Sequence, residues 1–408
     1  MEGDGPNLVG RDWLRSFKLD WHRIQKVQVN DSNNSGLDTL LTRFVEVFEK
    51  SMGPIVPYLA KLQLKGQSKP VFCRPRSVPF TLKEGIEEKL DRLEKDGIVH
   101  RVMHSEWATP IVPILKPDKK VRICGDFKVT INPALDVDRY PLPKLEELLA
   151  TVAGGKRFSK LDLTNAYLQL ALDEESQKLC TLNTHRGLYQ YRRMPFGIAS
   201  APALFQKTMD SVLQGIKHVV CYIDDILVTG NNENEHLRNL EQVFNRLKEH
   251  GIRLRKDKCV FLSHSVDFLG HRIDAEGIHP LPSKVEAMVK APAPRNITEL
   301  KSFLGMVNYY AKFLPNVSTH LFPLYALLKK EHGWNWDKKC QHAFVLIKKM
   351  LSSTQVLTPY DPKLPLRLAA DASAYGLGAV LSHEWPDGSE RPIAFASRTL
   401  ASAERHYA

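Results

Sequence analysis

Two adjacent carboxylates, Asp224 and Asp225, stand in the middle of an otherwise apolar run, residues 219–228. Ionised carboxylates among apolar side chains are costly unless something compensates their charge. A straight strand would also send the two to opposite faces, because strand side chains alternate with a period of two. The run therefore reads as two short strands joined by a tight turn. That turn brings both acids to a hairpin tip, where a cation can reach them. An ordinary Asp-Asp hairpin turn fits the same residues, and the pair alone does not separate the two readings.

A third acid favours the cation. Arg157-Phe158-Ser159-Lys160-Leu161-Asp162-Leu163 is a strand-like run with a carboxylate near its end. Strand-borne acids set side by side can bind two divalent ions, which activate a hydroxyl and neutralise phosphate charge. That chemistry needs hard oxygen ligands, hence Asp with Mg2+.

Composition bounds the partners. The chain has 408 residues, 43% of them hydrophobic, with 57 basic and 46 acidic side chains and a formal charge of +11. That length suggests two to four domains. The positive balance suits a polyanion such as nucleic acid, and suits a merely basic soluble enzyme equally well. Six cysteines are widely spread without zinc-ligand spacing, which fits a reducing, intracellular location in the cytoplasm or the nucleus. No apolar run approaches the roughly 20 residues needed to span a membrane, so no membrane partner is expected. The first ten residues lack the apolar core of a signal peptide.

Along the chain, a short helix is expected near residues 40–49. A second, at 81–95, starts on Thr81 with Glu84 three residues on, a capping-box pattern, and ends at Asp96-Gly97. Strands at 111–115 and 121–124 flank the basic tip Lys116-Pro117-Asp118-Lys119-Lys120. Further helices are expected at 200–213 and 235–250, the latter with apolar Leu237, Leu240, Phe244 and Leu247. A helical block follows at 283–290, 298–310, 321–329 and 338–351, then strands at 364–370 and 376–382.

The runs around the acids, in this order, resemble the motif series of reverse transcriptases. They look most like the pol polyproteins of gypsy-class long-terminal-repeat retrotransposons. The resemblance rests on Tyr222-Ile223-Asp224-Asp225, Leu161-Asp162-Leu163, and Met194-Pro195-Phe196-Gly197-Ile198 with Ser200-Ala201-Pro202-Ala203-Leu204-Phe205-Gln206. Phe268-Leu269-Gly270-His271 and Leu304-Gly305-Met306-Val307-Asn308-Tyr309-Tyr310 complete it. It implies an α+β right-hand polymerase with fingers, palm and thumb, followed by a partial RNase H-like sheet. The implied activity is RNA-directed DNA synthesis on a primed RNA or DNA template, with deoxynucleoside triphosphates and two Mg2+ ions, or Mn2+ in their place. Asp162, Asp224 and Asp225 would be the catalytic metal ligands, joined by the Leu163 backbone carbonyl. Lys116 and Arg122 would hold the triphosphate. Tyr167 would exclude a 2′-hydroxyl, and Phe196-Gly197 would approach the nucleotide. Phe268, Leu269 and Gly270 would position the primer, and Lys256 and Lys258 would reach template phosphate.

The implied domains are fingers and palm at 70–278, a helical thumb or connection at 279–355, and a truncated RNase H-like domain at 356–408. Residues 21–69 read as a linker. Residues 1–20, with Gly10-Arg11-Asp12-Trp13-Leu14, resemble the C-terminal end of a retroviral-type aspartic protease. Asp371, in Asp371-Ala372-Ser373, matches the first metal-binding acid of RNase H, but the helix bearing its partner would follow Ala408. Metal-dependent cleavage of the RNA strand of a hybrid is therefore not expected of these 408 residues. A second reading, of another class, is a decayed or domesticated copy that binds nucleic acid without catalysis; salt-sensitive hybrid binding without primer extension would distinguish it.

Overall fold

The computed structural model describes residues 35–404 except 52, 116, 118–119, 330–332, 354–355, 374–375 and 402. The expected protease-like end, 1–20, lies outside the described residues. The chain divides into two units, one of residues 35–144 with 158–262, the other of 145–157 with 263–404.

The main strands of the first unit, in chain order, are β1 (Val99–Val102), β2 (Thr109–Leu115), β3 (Val121–Gly125), β4 (Arg157–Asp162), β5 (Thr181–Thr184), β6 (Gly187–Tyr191), β7 (Val219–Tyr222), β8 (Asp225–Gly230) and β9 (Val260–Ser263). They form a five-stranded sheet of order β1-β6-β5-β2-β3 and a four-stranded sheet of order β9-β4-β8-β7. The second sheet carries the acids. Its β7–β8 hairpin is antiparallel, with Tyr222 opposite Asp225 and Val219 opposite Val228.

Three helices frame these sheets. In α1 (Phe80–Lys95) Ile86, Leu90 and Leu93 form the buried stripe. It ends where Gly97 turns left-handed at φ +65° and the Ile98 N–H donates back to the Leu93 carbonyl. The capping box expected at Thr81 does not form. The helix starts one residue earlier, after Pro79, so Thr81 lies inside the first turn and no side chain caps it. Helix α2 (Ala201–Val212) buries Phe205, Gln206 and Met209. Helix α3 (Glu233–Glu249) is capped by Asn232, which accepts from the Glu235 N–H, while the Glu235 carboxylate accepts from the Asn231 N–H. Its Leu240, Val243, Phe244 and Leu247 are fully buried, and it packs against β8. Residues 35–69, read above as part of a linker, supply Leu40, Phe44, Val47, Ile55, Ala60 and Leu62 to this core. Their spacing follows no single period, because the segment is a helix (Ser35–Arg43), a 3-10 turn (Val45–Phe48) and extended chain in succession.

Besides a short helix at Leu145–Thr151, the second unit holds β10 (Ser265–Phe268), β11 (His271–Asp274) and β12 (Ile278–Pro280), an antiparallel meander. The expected fingers-and-palm span, 70–278, thus crosses the boundary between the units. Helices α4 (Pro282–Lys290), α5 (Ile297–Tyr309), α6 (Val317–Ala326) and α7 (Lys338–Ser352) follow. Helix α6 starts four residues before the expected 321 and runs through Pro323. The unit closes with β13 (Leu366–Ala372), β14 (Gly376–Glu384) and β15 (Glu390–Thr399) in one antiparallel sheet. Only the first two of these strands were expected. No helix among the described residues is long and apolar enough to cross a membrane.

Gly230 closes β8 against the start of α3. A Cβ there would lie 2.6 Å from the His236 backbone nitrogen and 2.8 Å from its Cα. Gly230→Ala is expected to destabilise the first unit by about 1–3 kcal/mol, measured by urea unfolding.

Candidate metal and nucleotide site

The hairpin register places Ile223 and Asp224 in the turn, with Asp225 as the first residue of β8. The tip therefore falls one residue earlier than the acid pair itself. Ile223 adopts φ +55°, a left-handed conformation that costs a β-branched residue about 1–3 kcal/mol. Its N–H donates to Oε1 of the fully buried Gln206 at 2.7 Å. Asp162 ends β4, the neighbour of β8 in the sheet. The Leu163 N–H donates to the Asp224 carbonyl at 3.1 Å, and the Arg255 N–H donates to the Asp162 carbonyl at 2.8 Å. Backbone hydrogen bonds thus tie the acid-bearing segments together, and they run through Leu163, whose side chain is buried.

Two lysines stand against these acids. Lys160 Nζ lies 3.0 Å from Asp225 Oδ2, and Lys258 Nζ lies 3.5 Å from Asp162 Oδ2. Even so, both carboxyls sit above the ordinary carboxylate range. Burial is the largest cause for each; for Asp162, Asp225 and Asp224 add to it, and for Asp225, Asp224 does. The lysines oppose these effects without cancelling them. Three carboxylates with excess negative charge are a hard-oxygen donor set, and that chemistry fits a divalent ion such as Mg2+. Lys258, expected at template phosphate, is engaged by Asp162, and Lys256 lies 5.8 Å over the Phe48 ring.

Beside the acids, three of the expected nucleotide-binding residues meet. The Arg122 guanidinium, exposed on β3, stands 4.7 Å over the Phe196 ring. Phe196 lies 5.2 Å from Tyr167, which packs edge-on against Phe205 at 5.5 Å. Burial, with the Asp224 charge, pushes the Tyr167 phenol up to about 12, so it is neutral at physiological pH. Gly197 is left-handed at φ +98°, and Asn132 bridges its loop, donating to the Gly197 carbonyl and accepting from the Ala199 N–H. Lys116 lies outside the described residues.

In the second unit, Leu269 and Gly270 form the β10–β11 turn with φ +44° and +71°. The Tyr309 and Tyr310 hydroxyls donate to the Leu269 and Gly270 carbonyls, each at 2.6 Å. Two motif runs, around 268–271 and 304–310, thereby become one assembly, with Phe268 buried beneath it. Asp371 is exposed on β13 and accepts the N–H of Ala372. Among the described residues, Asp274, Glu276 and His279 lie close enough to share an ion. Asp274 there accepts the Glu276 and Gly277 N–H groups and caps the β11–β12 turn.

Sequence reasoning missed Lys160, Asn132 and Gln206. Lys160 was findable, since two residues before Asp162 on one strand means the same face. Gln206 was findable as a polar side chain in the buried stripe of α2. Asn132 carries no such signal, because its role depends on a loop 65 residues away.

Residues 114–273 match the reverse transcriptase (RNA-dependent DNA polymerase) family. Residues 336–408 match the RNase H-like domain found in reverse transcriptase, a span that also takes in α7. The retrovirus-related Pol polyprotein from transposon 412 of Drosophila melanogaster is 31% identical over 98% of this chain and 34% of its own length. An uncharacterised protein of Caenorhabditis elegans is 37% identical over 76% of this chain and 25% of its own. Among solved structures, a foamy viral protease-reverse transcriptase in complex with double-stranded DNA superposes with a TM-score of 0.85 at 25% identity, covering 99% of this chain and 71% of that one. The chain thus carries a reverse transcriptase domain and an RNase H-like domain, and its relatives include retrotransposon Pol polyproteins, consistent with the gypsy class. It spans about a quarter to a third of the length of these two relatives.

The raised pKa of Asp225 has a consequence for stability. A carboxyl whose folded pKa exceeds its unfolded value destabilises the fold as pH rises through that range. Asp225→Asn is therefore expected to raise Tm at pH 7 in the presence of EDTA. The gain should vanish at low pH, where Asp225 is protonated. Differential scanning calorimetry at the two pH values checks it.

Proposed function

We propose that the chain is an RNA-directed DNA polymerase that extends a primer with deoxynucleoside triphosphates by metal-assisted phosphoryl transfer. The observation that carries this reading is the meeting of Asp162, Asp224 and Asp225 at neighbouring strand ends of one sheet, within a reverse transcriptase domain. The three carboxylates, with the Leu163 carbonyl, would hold two Mg2+ ions, with Mn2+ as a substitute. Bound there, such ions lower the pKa of a primer 3′-hydroxyl and neutralise charge on the triphosphate and leaving pyrophosphate.

The chain's own side chains do the rest. Arg122 offers a planar donor fork to the triphosphate, joined by Lys116 as a point charge. Tyr167, wedged between Phe196 and Phe205, is held rigidly enough to exclude a 2′-hydroxyl. Gly197 lets backbone approach the nucleotide, having no Cβ. In the second unit, the turn at Phe268, Leu269 and Gly270 would position the primer strand. A foamy viral relative has been solved with an RNA/DNA hybrid, and the formal charge of +11 suits the same kind of partner. We place the site of action inside the cell, in the cytoplasm or nucleus.

Primer extension on an RNA template with Mg2+ tests the reading. Wild-type protein should extend, and Asp224→Asn should fall to background while still binding hybrid; extension equal to wild type by that variant would reject it. Tyr167→Ala should raise ribonucleotide relative to deoxynucleotide incorporation by roughly 10- to 100-fold, read as the ratio of kcat/KM values.

A further inference from the structure

The most constrained polar side chain near the acids is Gln206. It is fully buried on α2 and uses every hydrogen-bonding group of its amide. Nε2 donates to the Cys221 carbonyl at 2.9 Å and to Asp210 Oδ1 at 2.8 Å, and Oε1 accepts the Ile223 N–H at 2.7 Å. The amide thus grips the β7–β8 turn on both sides of Tyr222.

An amide can present either end to a partner, and only its oxygen serves the Ile223 N–H. The Cys221 carbonyl and Asp210 together select that end. Both groups only accept, so they draw the NH2 group toward themselves and leave the oxygen facing the turn. Asp210 is oriented in turn by Tyr140, whose hydroxyl donates to Oδ2 at 2.7 Å. Asp210 also pushes the Tyr140 phenol pKa up, which keeps the proton on Tyr140 and the hydrogen bond in that direction. The Tyr140 N–H is itself anchored on Asp138. The chain of contacts ends on a residue that needs holding, since Ile223 disfavours its φ of +55°.

We infer that Tyr140, Asp210 and Gln206 form a positioning relay that holds the strained Ile223 turn and so sets where Asp224 and Asp225 point. The relay rests on the polymerase reading for its purpose. None of the three residues reaches a reacting atom; they act through the turn. Two of them, Tyr140 and Asp210, lie outside every motif that carries the family resemblance.

The test combines single-nucleotide extension kinetics with Mn2+ binding followed by electron paramagnetic resonance. It uses the wild type, Gln206→Leu, Asp210→Asn, and Gln206→Leu combined with Ile223→Asn. Gln206→Leu should lower kcat about 10- to 100-fold, the scale on which small misplacements act. KM for the nucleotide should hold, and Mn2+ affinity should fall. Asp210→Asn should move both readouts in the same direction by less, because it weakens one hold on the amide while the Cys221 carbonyl keeps the other. Ile223→Asn should restore part of the Gln206→Leu loss, since asparagine tolerates positive φ; a purely structural role for Gln206 gives no such recovery. Unchanged kcat and Mn2+ affinity in Gln206→Leu, or no recovery by Ile223→Asn, would overturn the relay. If Gln206→Leu does not fold, Asp210→Asn carries the same decision. If the wild type fails to extend, the polymerase reading falls, and the Mn2+ titration still decides the relay on its own.

Discussion

The first unit is organised around a concentration of like charge at a strained turn. Asp162, Asp224 and Asp225 repel one another, and Ile223 resists the conformation that brings two of them to one tip. Neither cost is repaid locally. The sheet repays part of it through the Leu163 and Arg255 backbone bonds. The two lysines repay part of the charge, and α2 holds the turn through Gln206. The apolar core formed by Ile226, Leu227, Val228, Leu240 and Phe244 then lets the rest of the unit bear the strain. A site that is unfavourable for folding and suited to a divalent cation is the expected trade between stability and function.

The lysines show how the charge is managed. Lys160 shares a strand face with Asp162 yet reaches across to Asp225, while Lys258 arrives from the segment before β9 to meet Asp162. Each pairing is partly exposed, so each is a weak, screened contact. Weak pairing is what a metal site requires of its counterions. A buried bidentate arginine would satisfy the acids too well to give them up.

Much of this was legible in the sequence. Apolar flanks marked the hairpin, a strand-like run ending in an acid marked β4, and the helical period marked α3. What stayed hidden was non-local. The capping box at Thr81 had the right residues in the wrong place, because Pro79 starts the helix one position earlier. The segment 35–69 looked like a linker because its buried residues follow three local geometries in turn. The position of the turn was missed by one residue, since only the pairing of Tyr222 with Asp225 reveals that Ile223 takes the strained position.

The same logic links two of the left-handed turns among the described residues. In the first unit Ile223 is held by an amide; in the second, Leu269 is held by the Tyr309 hydroxyl, with Tyr310 on Gly270. In both, a branched apolar residue occupies a backbone region that glycine or asparagine would fill more cheaply. In both, a side chain from a helix distant in sequence supplies the hydrogen bond that a relaxed turn would not need. Strain of this kind persists only where surrounding structure over-determines it. Its presence at both of these turns indicates that rigidity of the tip, rather than ease of folding, governs these hairpins.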